Sequence, residues 1–175
     1  MYLQVIFMKT SGQYLIAGFM FSAVLGTAAH FFYGWSGNNP LAGLIAPVSE
    51  STWEHMKLVF FPVLLWSFFL PPHLADEAPT LRPSLLFGGL IGTLAVPVLF
   101  YTYSGILGYN IAWIDIFIFY ISVFITFFCA WKLQDSAKTA QKRTAIYFLT
   151  VLFAILFFLF TFLPPDIGLF AEPHP

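Results

Sequence analysis

The stretch Ile111–Trp131 reads IAWIDIFIFYISVFITFFCAW, and it indicates the class of fold by itself. Its only charged residue is Asp115, close to its beginning. A helix crosses the hydrocarbon core of a bilayer with about 20 mainly apolar residues. The stretch therefore predicts a transmembrane helix, and the chain is expected to be an integral membrane protein.

The composition indicates that lipid is the solvent for much of the surface. Hydrophobic residues make up 59% of the 175 residues and charged residues 9%, whereas a soluble domain carries about 25% charge. The aromatic share of 21% fits lipid-facing helices and interfacial belts. A formal net charge of −1 argues against nucleic acid as a partner and leaves membrane lipid as the expected one.

Three further stretches are long and apolar enough to span, and a fourth, 51–70, reaches that length only if its helix begins near Ser51. We therefore predict one all-α domain over residues 1–175, a polytopic bundle of about five transmembrane helices. The predicted spans are 14–33, 51–70, 84–103, 111–131 and 144–163, and 164–175 is an extracytoplasmic tail.

Two connecting segments are expected to cover one end of this bundle. Leu41–Val48 is apolar and too short to span, with Pro40 before it and Pro47 near its end, so we expect it to lie in the membrane interface or to re-enter over a polar pocket. The tail after Leu163 is rich in proline and is expected to fold back over the same face.

Small residues mark one face of the first predicted helix. Gly18, Ser22 and Gly26 recur every four residues, and His30 and Gly34 continue this stripe. Because small residues let another helix approach closely, His30 is expected to point into the bundle. It would serve there as a ligand or general base, or as a buried histidine hydrogen-bonded to a neighbouring helix.

Polar residues crowd the beginning of the second predicted span, where 50–57 reads ESTWEHMK. Ser51 and Glu54 have the spacing of a capping box. Glu54 and Lys57 are three residues apart, which fits an ion pair, and Trp53 suits an interfacial anchor. These local roles explain the residues singly, but the crowding favours a shared function.

The candidate site residues come from three segments that the topology brings to one end of the bundle. The candidate catalytic residues are His30, Glu50, Glu54, His55 and Lys57, and the candidate substrate-binding residues are Tyr33, Asn38, Asn39, Trp53 and Asp115.

Roles for these residues follow from their chemistry. Glu54 or His30 would be the general base, Lys57 would hold an anionic group, and the two asparagines would orient it. Asp115 has a local alternative, since a carboxylate at a helix amino end complements the helix dipole. The cofactor remains unknown, and the spacing specifies no metal site, although the histidines and Glu50 or Glu54 have suitable donor atoms.

The runs HFFYGW at 30–35 and SESTWEHMK at 49–57 resemble a family of small prokaryotic multi-pass membrane proteins of unknown function with a W-E-H-x-K motif. The tail, with Pro164–Pro165 and FAEP at 170–173, is similar too. In that family an Asn often stands at the position of Ser49 and an Asp at that of Glu172. A fainter similarity is to VanZ-like membrane proteins. The resemblance implies a multi-pass membrane location and no particular activity.

Three functions therefore compete. The first is an enzyme acting on a lipid head group or lipid-linked substrate at the outer interface. The second is a protein that binds or transports an ion or small solute with the same pocket. The third is a structural or assembly subunit whose polar cluster holds helices together. The inner halves of the helices are apolar, so the sequence provides no polar path across the membrane for transport.

Lysine and arginine predict the orientation, because cytoplasmic loops are enriched in both. The loop between the last two predicted spans holds Lys132, Lys138, Lys142 and Arg143, so it is expected in the cytoplasm. Counting back places Lys9 and Arg82 on the same side, with Lys57 as the exception. We predict a prokaryotic plasma-membrane protein with a cytoplasmic amino terminus and an extracytoplasmic carboxyl terminus.

Reporter fusions test this orientation. Alkaline phosphatase, which is active only outside the cytoplasm, should be active when fused after Leu163 and inactive when fused after Lys138. The physical reason is that six of the seven Lys and Arg residues then lie inside. A cytoplasmic reporter that is active after Leu163 would rule out the predicted topology.

Overall fold

The computed structural model describes the backbone of residues 2–172 and the side chains from Thr10 onward. Within this range the chain forms helices and no strand, which confirms the all-α class. The side chain of Lys9 and the end of the predicted tail, 173–175, lie outside the described residues. The helices are α1 (Tyr2–Trp35), α2 (Pro40–Gly43), α3 (Thr52–Phe68), α4 (Pro72–Glu77), α5 (Leu81–Leu107), α6 (Ala112–Leu133), α7 (Ala137–Gln141) and α8 (Arg143–Phe162).

Among the described residues, four helices are long and apolar enough to cross a membrane. They are α1 over Thr10–Trp35, α5, α6 and α8. Each contains or closely matches a predicted span, which confirms a helical membrane bundle. Helix α3 has 17 residues. At 1.5 Å per residue it is about 25 Å long, shorter than a hydrocarbon core of about 30 Å, so its crossing stays a prediction.

Helix α3 lies at the centre of the bundle and contacts α1, α5, α6 and α8. Its apolar residues Met56, Val59, Phe60 and Val63 are almost fully buried. Polar residues at its beginning are therefore surrounded by other helices instead of lipid, and each must find a partner within the protein.

The beginning of α3 uses half of the predicted capping box. The Ser51 hydroxyl accepts a hydrogen bond from the Glu54 backbone N–H at 3.4 Å, as expected for an N-cap. The reciprocal bond is absent, because the Ser51 N–H donates to the Ser49 hydroxyl and the Glu54 carboxylate accepts from the Val48 N–H. Glu54 thus ties the preceding loop to α3.

The small-residue stripe of α1 packs against α3 as predicted. A Cβ atom added to Gly26 would lie 2.5 Å from the Leu58 carbonyl oxygen, and one added to Gly18 would lie 2.3 Å from the Trp66 side chain. The stripe ends before Gly34, because a Cβ atom added to Gly34 would meet nothing within 4 Å. This close approach brings His30, one turn beyond Gly26, to the beginning of α3.

Both connecting segments cover the same end of the bundle. Asn39 caps α2, and within the segment Leu41 and Ile45 are exposed while Ala46 is fully buried. Its predicted contact with the membrane interface stays a prediction. The described part of the tail folds back, since the backbone N–H of Trp53 donates to the Leu169 carbonyl at 3.0 Å and Phe170 contacts the Trp53 ring.

Glycines on α5 let α6 approach in the same manner. A Cβ added to Gly88 would lie 2.3 Å from the Thr126 carbonyl oxygen, and one added to Gly92 would lie 2.0 Å from the Thr126 hydroxyl. Backbone atoms cannot move aside as a flexible side chain can, so this helix pair requires glycine at position 88.

We expect Gly88→Ala to destabilise the protein by about 1–3 kcal/mol, because α5 and α6 must move apart to accommodate the methyl group. Gly105→Ala on the same helix is the matched control, since its Cβ would meet nothing within 4 Å. It should be neutral or stabilising by about 1 kcal/mol or less. Thermal unfolding in detergent measures both, and equal midpoints for the two variants would contradict the packing.

Candidate functional site

The polar residues at the beginning of α3 form two separate clusters on different sides of the helix. The first cluster is a buried ion pair. The Lys57 ammonium donates to the Glu54 carboxylate at 2.7 Å, to the Gly43 carbonyl at 2.8 Å and to the Thr161 hydroxyl at 2.6 Å. All three ammonium protons therefore have an acceptor.

This cluster is enclosed and joins three parts of the chain. The Lys57 side chain is 0% exposed and that of Glu54 is 4% exposed. Through them α3 is tied to α8 at Thr161 and to the segment that holds Gly43 and Val48. The arrangement fits the ion pair that the spacing of Glu54 and Lys57 predicts. It leaves Lys57 no free donor with which to hold a substrate anion.

The second cluster consists of His30 from α1, Glu50 from the preceding loop and His55 from α3. One potential ligand atom from each residue lies within 4.8 Å of the other two. The two imidazole rings are 5.3 Å apart between centroids, and His55 Nε2 is 3.4 Å from a Glu50 carboxylate oxygen. The fold thus brings together residues that are up to 25 positions apart in the sequence.

The hydrogen bonds of His55 decide what it presents to Glu50. His55 Nδ1 lies 2.9 Å from the Ser51 carbonyl oxygen, so Nδ1 carries a proton and donates it. In neutral His55 the Nε2 lone pair then faces the carboxylate, and a proton or another cation between the two is needed to make the contact favourable. When Nε2 is protonated, its hydrogen bond lowers the pKa of the Glu50 carboxyl, against the smaller opposing effect of the partial burial of this largely exposed side chain.

A pocket of about 690 Å³ adjoins this second cluster. Its walls are mostly apolar and come from α1, α3, α5 and α6. Phe31 of α1 and Ile116 of α6 line it and are 51% and 59% exposed, so the pocket reaches the outer surface of the bundle. The lining residues that bear polar side chains are Thr27, His30, Glu50, Thr52, His55, Asn110, Asp115 and Tyr120.

The charge of the pocket is negative when its histidines are neutral. Glu50 and Asp115 line it, whereas no Lys or Arg among the described residues does. Asp115 accepts hydrogen bonds from the Tyr103 hydroxyl and from the Asn110 amide at 3.2 Å. The pocket therefore suits a cation or an amine better than an anion.

The structure separates the predicted site residues into those that line the pocket and those that do not. His30, Glu50, His55 and Asp115 line it. Glu54 and Lys57 lie in the ion-pair cluster, although the sequence grouped them with His30 as candidate catalytic residues of one site. Tyr33, Asn38, Asn39 and Trp53 are also absent from its lining.

These four residues have local structural contacts instead. The Tyr33 ring lies beside Gly43, and Asn38 adopts a left-handed conformation with φ of 60° in the turn after α1. Asn39 accepts a hydrogen bond from the Leu41 N–H as the cap of α2. Trp53 is buried beneath the tail and contacts Phe157, so it is not the interfacial anchor that the sequence suggested.

The chain matches a family model over residues 3–174, described as a family of unknown function (DUF6512). The chain belongs to this family. The match confirms the assignment, made from the sequence, to an uncharacterised family, and the W-E-H-x-K motif as its signature stays a prediction. No curated protein and no solved structure matches the chain.

In this member of the family, the candidate set from the sequence lacks several polar residues of the two clusters and the pocket, among them Thr27, Tyr120 and Thr161. Thr27 and Tyr120 line the pocket and hydrogen-bond to one another at 3.1 Å, which joins α1 to α6. Thr27 lies three residues before His30, so the helical period placed it near that face. Thr161 lies 104 residues from its partner Lys57, and no local pattern signals that contact.

We expect Lys57→Met to destabilise the protein by about 3–5 kcal/mol, because it leaves the buried Glu54 carboxylate without its counterion. The double variant Glu54→Gln/Lys57→Met removes both charges and should recover much of that loss. Denaturant unfolding in micelles measures the free energies. A single Lys57→Met variant that is as stable as the wild type would show that the ion pair does not hold the helices together.

Proposed function

We propose that this protein is a membrane-embedded enzyme that acts on the head group of a lipid or lipid-linked substrate. The observation that carries the proposal is the position of His30, Glu50 and His55 beside a large pocket with apolar walls. The positive-inside pattern predicts that this end of the bundle is extracytoplasmic.

The dimensions and composition of the pocket support an amphiphilic substrate. Ligand pockets typically measure about 300–1,000 Å³ and are mostly apolar with a few polar groups that fix orientation. At about 690 Å³ this pocket falls within that range, and its opening beside Phe31 and Ile116 lies among exposed apolar side chains. An acyl chain would follow the apolar wall while the head group meets the polar cluster.

The paired side chains of His55 and Glu50 support acid–base chemistry. With Nδ1 donating to the Ser51 carbonyl, His55 Nε2 is the atom able to take a proton from a water or hydroxyl group. The neighbouring Glu50 carboxylate, 3.4 Å from Nε2, would stabilise the imidazolium that forms by its negative charge. His55 thus takes the role of general base that the sequence suggested for Glu54 or His30, and His30 would bind or orient the substrate beside it.

The charge of the pocket supports a substrate with an amine. Glu50 and Asp115 supply negative charge, and no Lys or Arg of the described chain lines the pocket. A zwitterionic head group such as that of phosphatidylethanolamine offers an ammonium to these carboxylates. A purely anionic head group would find no compensating side chain.

The same negative charge favours a second candidate function, a protein that binds or transports an organic cation or metal ion. It needs the pocket but no proton transfer by His55. The third candidate, a structural or assembly subunit, fits Glu54 and Lys57, whose contacts hold helices together. It gives the pocket no role.

Lipid turnover tests the proposed enzyme. Purified protein should convert phosphatidylethanolamine in vesicles of phosphatidylethanolamine and phosphatidylglycerol, with products identified by mass spectrometry. His55→Ala and Glu50→Gln should each slow the reaction by roughly 10²–10⁴-fold, the usual contribution of a general acid or base. His73→Ala, an exposed histidine on α4, is the matched control and should retain the wild-type rate.

Two outcomes would overturn the enzyme proposal. Wild-type protein that leaves both lipids unchanged while binding ethanolamine would favour the cation-binding candidate. Turnover that persists at the wild-type rate in both variants would show that the His55–Glu50 pair takes no part in the reaction.

A further inference from the structure

We propose that His30, Glu50 and His55 form a binding site for one divalent transition-metal ion, of which Zn²⁺ is the best representative. Two imidazoles and one carboxylate are a ligand set that such ions accept, and it leaves coordination positions for water or substrate. The potential ligand atoms lie within 4.8 Å of one another.

The distance between Glu50 and His55 fits a shared ion. Ligand atoms at the corners of a tetrahedron are about 3.4 Å apart when each bond to zinc is about 2.1 Å long. His55 Nε2 and the Glu50 carboxylate oxygen are 3.4 Å apart. Small rotations of the His30 side chain would close the remaining separation, which is at most 4.8 Å.

The surroundings of His55 are those of a metal-binding histidine. In metal sites the second ring nitrogen of a ligating histidine usually donates to a carbonyl or carboxylate, which orients the ring and fixes its tautomer. His55 Nδ1 has such a partner in the Ser51 carbonyl at 2.9 Å. This bond leaves the Nε2 lone pair directed toward Glu50, where the ion would sit.

His30 provides an independent observation. Its Nδ1 atom is buried and has no hydrogen-bond partner among the described residues. A buried polar atom without a partner costs free energy and calls for an explanation. An ion bound to this nitrogen, or a water of that ion hydrogen-bonded to it, would satisfy the atom.

The electrostatics of the pocket favour a cation at this point. Glu50 is a direct ligand, and Asp115 adds a second negative charge to the same lining. Lys57 is the lysine closest to His55 in the sequence. Its ammonium is held by Glu54, Gly43 and Thr161 in the other cluster, so it does not compete with a metal ion for Glu50.

Such an ion would supply what the pocket lacks for the proposed function. No described cationic side chain lines the pocket to hold a phosphate, and a metal ion with open positions binds a phosphate oxygen or activates a water. With the ion bound, His55 Nε2 is a ligand and cannot also take a proton, so the ion would replace His55 as the group that activates the water attacking the substrate. The role of the ion therefore rests on the proposed function, whereas the site itself rests on the geometry of the three residues.

Metal binding by the whole protein tests the site. Protein purified in detergent is stripped with a chelator, titrated with ZnCl₂ by calorimetry and dialysed, and bound zinc is counted by mass spectrometry. We expect one zinc per chain. Stripped protein loaded with Co²⁺ should show the intense visible absorption of a four-coordinate ion, a readout independent of activity.

Glu50→Gln is the most informative variant, because Glu50 is exposed and its amide replacement preserves shape. It should weaken zinc binding by roughly 100-fold or more, beyond the loss seen when only an outer partner is removed. His30→Ala and His55→Ala should do the same, whereas His73→Ala should bind as the wild type does. Size-exclusion profiles identify any variant that misfolds, and Glu50→Gln then decides the test.

Different outcomes separate the site from the proposed function. Wild-type protein that takes up no zinc, or Glu50→Gln with unchanged affinity, would overturn the metal site. Zinc bound as expected without any lipid turnover would uphold the site and count against the enzyme. Full lipid turnover by chelator-treated protein with no bound zinc would uphold the enzyme and overturn the role of the ion in it, and the zinc titration then decides the site.

Discussion

The ion pair between Glu54 and Lys57 is the interaction on which this end of the bundle depends. Burying two charges is costly unless they are paired and their remaining hydrogen-bonding groups are satisfied. Here the pair meets that condition with the Gly43 carbonyl, the Val48 N–H and the Thr161 hydroxyl. Its partners belong to α8 and to the segment after α1, so satisfying the charges also positions those parts around α3.

The helical period explains why the polar run at 50–57 divides into two clusters. Successive residues of an α-helix are rotated by about 100°. Trp53, Glu54 and Lys57 consequently fall within one arc of about 100°, which faces α8 and the tail. His55 falls on the other side of α3, facing α1 and His30. Crowding along the sequence is therefore not proximity in space.

The division of the run changes how a function can be assigned. The lysine suited to an anionic substrate is enclosed, while the pocket keeps two histidines and two carboxylates. Its chemistry is thereby directed toward proton transfer and cations. The small-residue stripe of α1 makes this possible, because the close contact at Gly26 brings His30 to the ring of His55.

The sequence by itself determined the helical membrane class, the packing face of α1, the cap of α3 at Ser51 and the residue types of a site at one end. These features depend on the composition of one segment and on the spacing of its apolar and small residues, and both can be read from that segment alone. Only the tertiary structure decided which polar residues share a pocket. That choice depends on long-range partners, such as Thr161 for Lys57 and Tyr120 for Thr27, and nothing near a residue in the chain specifies a neighbour about a hundred positions away.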